Sequence, residues 1–267
     1  MEQLLIFLVT GTIAGVLAGL FGVGGGLIMV PALAFVLPLQ GFGPEVYMQS
    51  AIGTSLAVIG LTSISSTWSH HRRGGVRWPV FWRFSTGLAI GALIGAWVAD
   101  QLSGDALKRI VAVGALLVSA QMFWKTFKPD SPRVDVPRDP PAPELLGAGG
   151  IIGLLSSLIG IGGGSLTVPY LSARGLPIHQ AVGTAAAGGV PIAWAGALGF
   201  VITGWGHAEL PGLHLGYVSL GAFAGLAVAS VSTAPLGAKL AHSLSPPLLK
   251  RAFASLLCVI GLKMLLG

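Results

Sequence analysis

From Gln3 to Pro44 the chain carries no Asp, Glu, Lys or Arg. Its apolar part, Gln3 to Pro38, would make one helix about 54 Å long at 1.5 Å per residue. A bilayer offers a hydrocarbon core of only about 30 Å. A soluble fold has no place for such a segment, and a bilayer has no room for it as one straight crossing. Three consecutive glycines, Gly24, Gly25 and Gly26, stand in its middle. Each costs a helix about 1 kcal/mol. The segment is expected to break at Phe21–Gly26 and turn back within the membrane.

Six more uncharged runs follow: Val46 to His71, Phe84 to Ala99, Ile110 to Trp124, Leu145 to Ala173, Gly175 to Ala208 and Leu210 to Ala238. Charged residues are 9% of the chain and the mean hydropathy is +0.82, where a soluble domain carries about 25% charge. These values exclude a water-soluble enzyme, and a nucleic-acid partner is not expected. Membrane β-strands alternate polar and apolar residues, which these runs do not, so an all-α integral membrane protein in a lipid bilayer is expected. The N-terminal segment lacks a basic start, carrying Glu2 instead, and its apolar stretch outruns a signal peptide; it reads as a first span. The single cysteine, Cys258, leaves no intrachain disulfide or Cys-based metal site.

Residues 125–144 mix charges with six prolines, a solvated, semi-rigid linker. It separates an N-terminal membrane repeat, 1–124, from a C-terminal one, 145–267. The repeat is explicit. Gly15-x6-Gly22-Val23-Gly24-Gly25-Gly26-x3-Val30-Pro31 recurs as Gly153-x6-Gly160-Ile161-Gly162-Gly163-Gly164-x3-Val168-Pro169. Gly53-Thr54 matches Gly183-Thr184, and Gly87-x3-Gly91 is paired with Gly221-x3-Gly225. Leu102-Ser103-x3-Leu107-Lys108-Arg109 matches Leu244-Ser245-x3-Leu249-Lys250-Arg251.

Charge placement bears on how the repeats are oriented. If each glycine-broken segment crosses as one span, the repeats are parallel, eight helices cross, and the 15 Lys and Arg divide nine to six between the two sides. If each is a hairpin followed by three spans, the repeats are inverted and the division is twelve to three. The positive-inside rule prefers the second. It puts the linker in the cytoplasm and both termini outside a bacterial-type inner membrane.

A broken membrane helix must bury its free backbone groups in protein or line a wet cavity. The helix after each break would start near Leu27 or Ser165, with about half a positive charge at its N-terminal end. Glycine lets an anion approach the backbone closely. The candidate site is therefore Gly24, Gly25, Gly26, Gly162, Gly163, Gly164 and Ser165. Thr54, Ser55 and Thr184 offer hydroxyls near the start of the next helix, although each could instead bond its own helix. Arg83 could neutralise an anion or snorkel to the interface beside Arg77, and the paired position in the other half is Tyr217. His207, Glu209 and His214 have poor spacing for a metal and read as an ordinary loop. No catalytic set and no nucleotide loop is present. No enzyme activity, cofactor or metal is expected.

The doubled glycine motif, with Gly53-Thr54-Ser55-Leu56, resembles the TauE/SafE family of sulfite and organosulfonate transporters, over nearly the whole chain outside the linker. The second copy departs at Ala185, where the first has Ser55. The resemblance implies secondary transport, often export, of small sulfur-containing anions such as sulfite, sulfoacetate, other organosulfonates or thiosulfate. A homodimer is compatible with it. A passive anion channel is the rival reading.

Overall fold

The structure, a computed structural model, describes residues 2–21, 26–127, 140–207, 210–243 and 246–266. Gly24 and Gly25 lie outside these, as does Glu209 and most of the Pro-rich segment. Ten helices are described: α1 (Glu2–Phe21), α2 (Gly26–Leu39), α3 (Tyr47–Arg72), α4 (Trp78–Asp100), α5 (Gly104–Phe127), α6 (Ala142–Ile159), α7 (Gly164–Ala173), α8 (Ile178–Thr203), α9 (Leu220–Ser243) and α10 (Pro246–Leu266). Five of them, α3, α4, α5, α6 and α8, are long and apolar enough to cross a membrane. A two-residue β-hairpin, β1 (His214–Leu215) with β2 (Val218–Ser219), precedes α9.

The second glycine motif stops a helix where expected: α6 ends at Ile159. The described part of α1 reaches Phe21 and α2 starts at Gly26, so the rest of the first break lies outside the described residues. Gly160 caps α6 in the left-handed region, φ 77°, with its N–H and that of Ile161 both donating to Ser156 O at 2.9 Å. Gly163, φ 75°, starts α7. A side chain is strained at either position. α7 then doubles back along α6. Arg174, just past its end, pairs with Glu144 in the first turn of α6 at 2.8 Å, and Tyr170 Oη donates to the same carboxylate at 2.7 Å.

Helix directions follow from which residues touch. Along α3 and α8, Gly53 meets Phe200, Gly60 meets Trp194, Ser63 meets Gly189, and Thr67 Oγ1 donates to Ala186 O at 3.2 Å. One series rises as the other falls, so these helices are antiparallel. α5 and α10 are antiparallel too: Ser119 Oγ donates to Ala254 O at 2.7 Å, while Gly261 packs on Leu116 and Ala112. α1 runs parallel to α9, and α6 parallel to α4. Thus α1, α3, α4 and α5 of the first half each meet a helix of the second, and exchanging the halves reproduces these four pairings.

This packing corrects one repeat match. Gly149 and Gly153 of α6 rest on Phe84 to Ala92, and their counterparts Gly11 and Gly15 of α1 rest on Gly225 to Thr233. Leu88 therefore corresponds to Ser230, an offset of 142, the same as between Leu102 and Leu244. Pairing Gly87-x3-Gly91 with Gly221-x3-Gly225 is eight residues out of register, about two helical turns. Small-residue spacing recurs on any helix built for close packing, so it does not fix register. Arg83 corresponds to Gly225, not Tyr217. The second correction is local: Gly53 and Gly183 do not open their helices, since α3 starts at Tyr47 and α8 at Ile178. Both helices begin right after the preceding turn, Gly43-Pro44 in one case and Pro177 in the other, and the glycines serve close packing inside them.

The interior is apolar and tightly filled, with Leu56, Ile59, Phe84, Leu88, Ala193 and Phe200 almost inaccessible. The outside is apolar as well. Trp82, Trp97, Leu117, Ile151 and Val228 are exposed, the arrangement of a protein whose solvent is lipid.

Candidate functional site

Within Gly160–Gly164 the chain passes from the end of α6 to the start of α7. Gly163 O accepts from Leu166 N at 3.0 Å and Thr167 N at 2.8 Å. The N–H groups of the first α7 residues have no helical acceptor. Gly162, Gly164 and Ser165 line a cavity of about 330 Å³, together with Val168 and Pro169 of α7. Its other walls are α3 (Ile59, Thr62, Ser63, Ser66, His70), α5 (Val118, Gln121, Met122) and α8 (Val182, Ala185, Ala186, Gly189). Among the described residues no Asp, Glu, Lys or Arg lines it. A bound anion would meet hydroxyls, an amide and the positive end of α7 rather than a repelling carboxylate.

Three hydroxyls at this turn have no hydrogen-bond partner among the described residues: Ser165 on the cavity wall, and Ser156 and Thr167, both fully buried. A Cβ built on Gly163 would lie 3.4 Å from Ser156 Oγ and 3.5 Å from Thr167 Oγ1, and would run into Ile192 Cδ1. A buried hydroxyl without a partner costs about 1–3 kcal/mol. These side chains fit an acceptor-rich ligand better than they fit the protein alone.

The two glycine motifs touch. Gly26 is buried at the start of α2, and a side chain there would strike Gly160 O and lie 3.0 Å from Ile161 Cα. Val30 of α2 packs over Gly160. Ser55 Oγ makes a long, 3.5 Å contact to Gly160 O. The halves differ in access: Gly26 to Pro31 are all buried, while most of Gly164 to Pro169 is half-open to the cavity.

The remaining candidates sit elsewhere. Thr54 Oγ1 accepts from Ser219 N at 3.0 Å, and Thr184 Oγ1 accepts from Arg77 N at 3.0 Å. Arg77 and Ser219 are 142 apart, so the two bonds are repeat-equivalent; each threonine holds the segment leading into α4 or α9. Arg83 is exposed on α4 beside Trp82. His207 Nε2 lies 3.1 Å from Tyr217 Oη, which donates to Asp100 at 2.8 Å. The buried phenol against that carboxylate has its pKa raised, burial being the larger cause. Among the described residues no group of three His, Cys, Asp or Glu could hold a metal.

Ser63, Ser66 and Gln121 are not among the residues expected at the site. Ser63, Ser66 and His70 recur at helical spacing, a polar stripe along one face of an otherwise apolar α3. That stripe was the available signal.

The comparisons bear directly on this architecture. The model of the Sulfite exporter TauE/SafE family matches residues 7–264. The chain belongs to the TauE/SafE sulfite exporter family. A Haemophilus influenzae "Probable membrane transporter protein" is 35% identical to this TauE/SafE member over 263 residues, covering 98% of each chain. A "Probable membrane transporter protein" of Methanocaldococcus jannaschii is 31% identical over 266 residues, covering 98% of this chain and 95% of its own. The Bacillus subtilis "Probable membrane transporter protein YunE" is 31% identical over 186 residues, 62% of this chain and 66% of its own. No solved structure matches. Family and relatives alike indicate a membrane transporter.

Proposed function

We propose that this TauE/SafE member is a secondary carrier that exports small sulfur-containing anions across a bacterial-type inner membrane. Sulfite, sulfoacetate, other organosulfonates and thiosulfate are the candidate substrates. The observation that carries the reading is the cavity lined by Gly162, Gly164 and Ser165: free of carboxylates among the described residues and floored by the start of α7, with the buried hydroxyls of Ser156 and Thr167 behind it at the Gly163 turn. An oxyanion there replaces water with N–H and hydroxyl donors.

The two halves act as inverted repeats about an axis in the membrane plane. The antiparallel pairing of α3 with α8 and α5 with α10, and the return of α7 to the start of α6, support this. Contact between Gly26 and the Gly160 turn brings both glycine motifs to the centre, as transporters with broken helices place their binding sites. The half-open Gly164–Pro169 segment and the buried Gly26–Pro31 segment are one access state in this reading; exchange of the two environments would deliver the anion to the other side.

A thermal-shift screen of the purified protein against sulfite, thiosulfate, sulfoacetate and taurine tests the reading. At least one anion should stabilise the protein in a saturable way, and the same anion should support counterflow in vesicles. Large non-saturating currents would make it a channel. No stabilisation by any of the four anions would reject the substrate class.

A further inference from the structure

A second cavity, about 370 Å³, lies at the other end of the molecule. It is lined by Ala34, Phe35 and Pro38 of α2, Tyr47 at the start of α3, Lys108 of α5, and Lys263 and Met264 of α10. α3 and α5 connect it to the glycine-turn cavity. Tyr47 opens α3 and Lys108 is the fifth residue of α5, whereas His70 and Gln121 at the glycine-turn cavity lie toward the opposite ends of those helices. Nothing so far assigns this cavity a role.

Its charge is unusual for its setting. Lys108 stands near the start of α5, where the helix macrodipole disfavours a cation. Neither Lys108 nor Lys263 has an ion-pair partner among the described residues, although Asp105 lies one turn before Lys108. The Lys263 ammonium rests 4.6 Å from the centre of the Phe35 ring instead. Two ammonium groups around an apolar-walled cavity near a membrane surface are stabilised by an anion between them.

The repeat gives the cavity a place in the molecule. Lys263 and Met264 are the equivalents, 142 residues on, of Gln121 and Met122, which line the glycine-turn cavity. The same two positions of α5 and α10 therefore face a cavity at opposite ends of the protein. One carries a neutral amide and the other a cation.

We propose that Lys108 and Lys263, with Tyr47, form a second oxyanion-binding site, for a sulfonate-, thiosulfate- or phosphate-type head group. As the opposite mouth of the substrate path it rests on the carrier reading; as an oxyanion site it stands on its own residues. The head group has two possible sources, the transported solute and an anionic lipid, and both carry the same tetrahedral chemistry.

Lysine acylation by an N-hydroxysuccinimide ester, read by mass spectrometry on the protein in nanodiscs, separates them. In phosphatidylcholine discs at fixed ionic strength, sulfoacetate should slow acylation of Lys108 and Lys263 at least threefold, with Lys125 and Lys128 unchanged as the reference. Protection by phosphatidylglycerol in the disc but not by sulfoacetate would assign the site to lipid. Lys263→Gln should abolish the protection of Lys108. If neither anion protects either lysine, the proposal is overturned. The Gly163→Val protein keeps the tests apart, because it should lose binding at the glycine turn yet retain protection of both lysines.

Discussion

Thr167 carries a hydroxyl with no accessible surface and no partner, one turn into α7. Replacing such a group by a methyl of the same shape is close to neutral, or stabilising, for a purely structural residue. If the hydroxyl donates to a bound oxyanion, the same change removes a hydrogen bond to a charged group, about 1.5–3 kcal/mol. Thr167→Val should therefore leave thermal stability intact while weakening anion affinity roughly 10- to 100-fold; unchanged affinity would remove Thr167 from the site. Gly163 makes a sharper case. Its φ of 75° strains alanine as well as valine, and Ile192 Cδ1 occupies the space of a Cβ. Gly163→Ala and Gly163→Val should both abolish anion binding in protein that still inserts and folds. Wild-type affinity in either variant would show that the turn geometry is irrelevant to binding.

At the scale of elements, the two buried threonines act as fasteners. Thr54 takes a buried N–H of Ser219 from the β-hairpin before α9, and Thr184 takes that of Arg77 before α4. Thr54→Val leaves the N–H of Ser219 without an acceptor, at about 1–3 kcal/mol, and lowers the melting temperature. Thr184→Val costs less because its bond is only partly buried. Transport per folded molecule should persist in both; loss of transport at full stability would return these hydroxyls to the substrate path. Here the limits of the sequence are physical. The helix break at Gly160–Gly164 was legible because a glycine cluster interrupts a long apolar run, as another does at Phe21–Gly26. The register of α4 against α9 was not, since Gly-x3-Gly pairs recur wherever backbones pack closely. Gln121 and Met122 could not be placed at the cavity either. Only the packing of α5 against α3 and α6 brings them there, and nothing local to their helix announces those neighbours.

At the scale of the whole molecule, orientation is what remains to be measured, and charge and helix direction make one prediction about it. The Arg174–Glu144 pair holds the end of α7 beside the start of α6. With each glycine motif a hairpin, twelve of the 15 Lys and Arg fall on the side of the Pro-rich linker. The remaining three, Lys108, Arg109 and Lys263, fall on the other. The positive-inside rule makes the linker side cytoplasmic. The glycine-turn cavity, near His70 and Gln121, then opens inward, and the Lys108–Lys263 cavity faces outward. A reporter fused after residue 135 should be cytoplasmic and one at the C-terminus external. In addition, a cysteine replacing Ser66 on the cavity wall should react with an impermeant thiol reagent only from the cytoplasmic side. An external linker would invert the assignment of both cavities. A linker and C-terminus on the same side would reject inverted repeats altogether, because α8, α9 and α10 after a hairpin make three crossings and must end opposite to where they began.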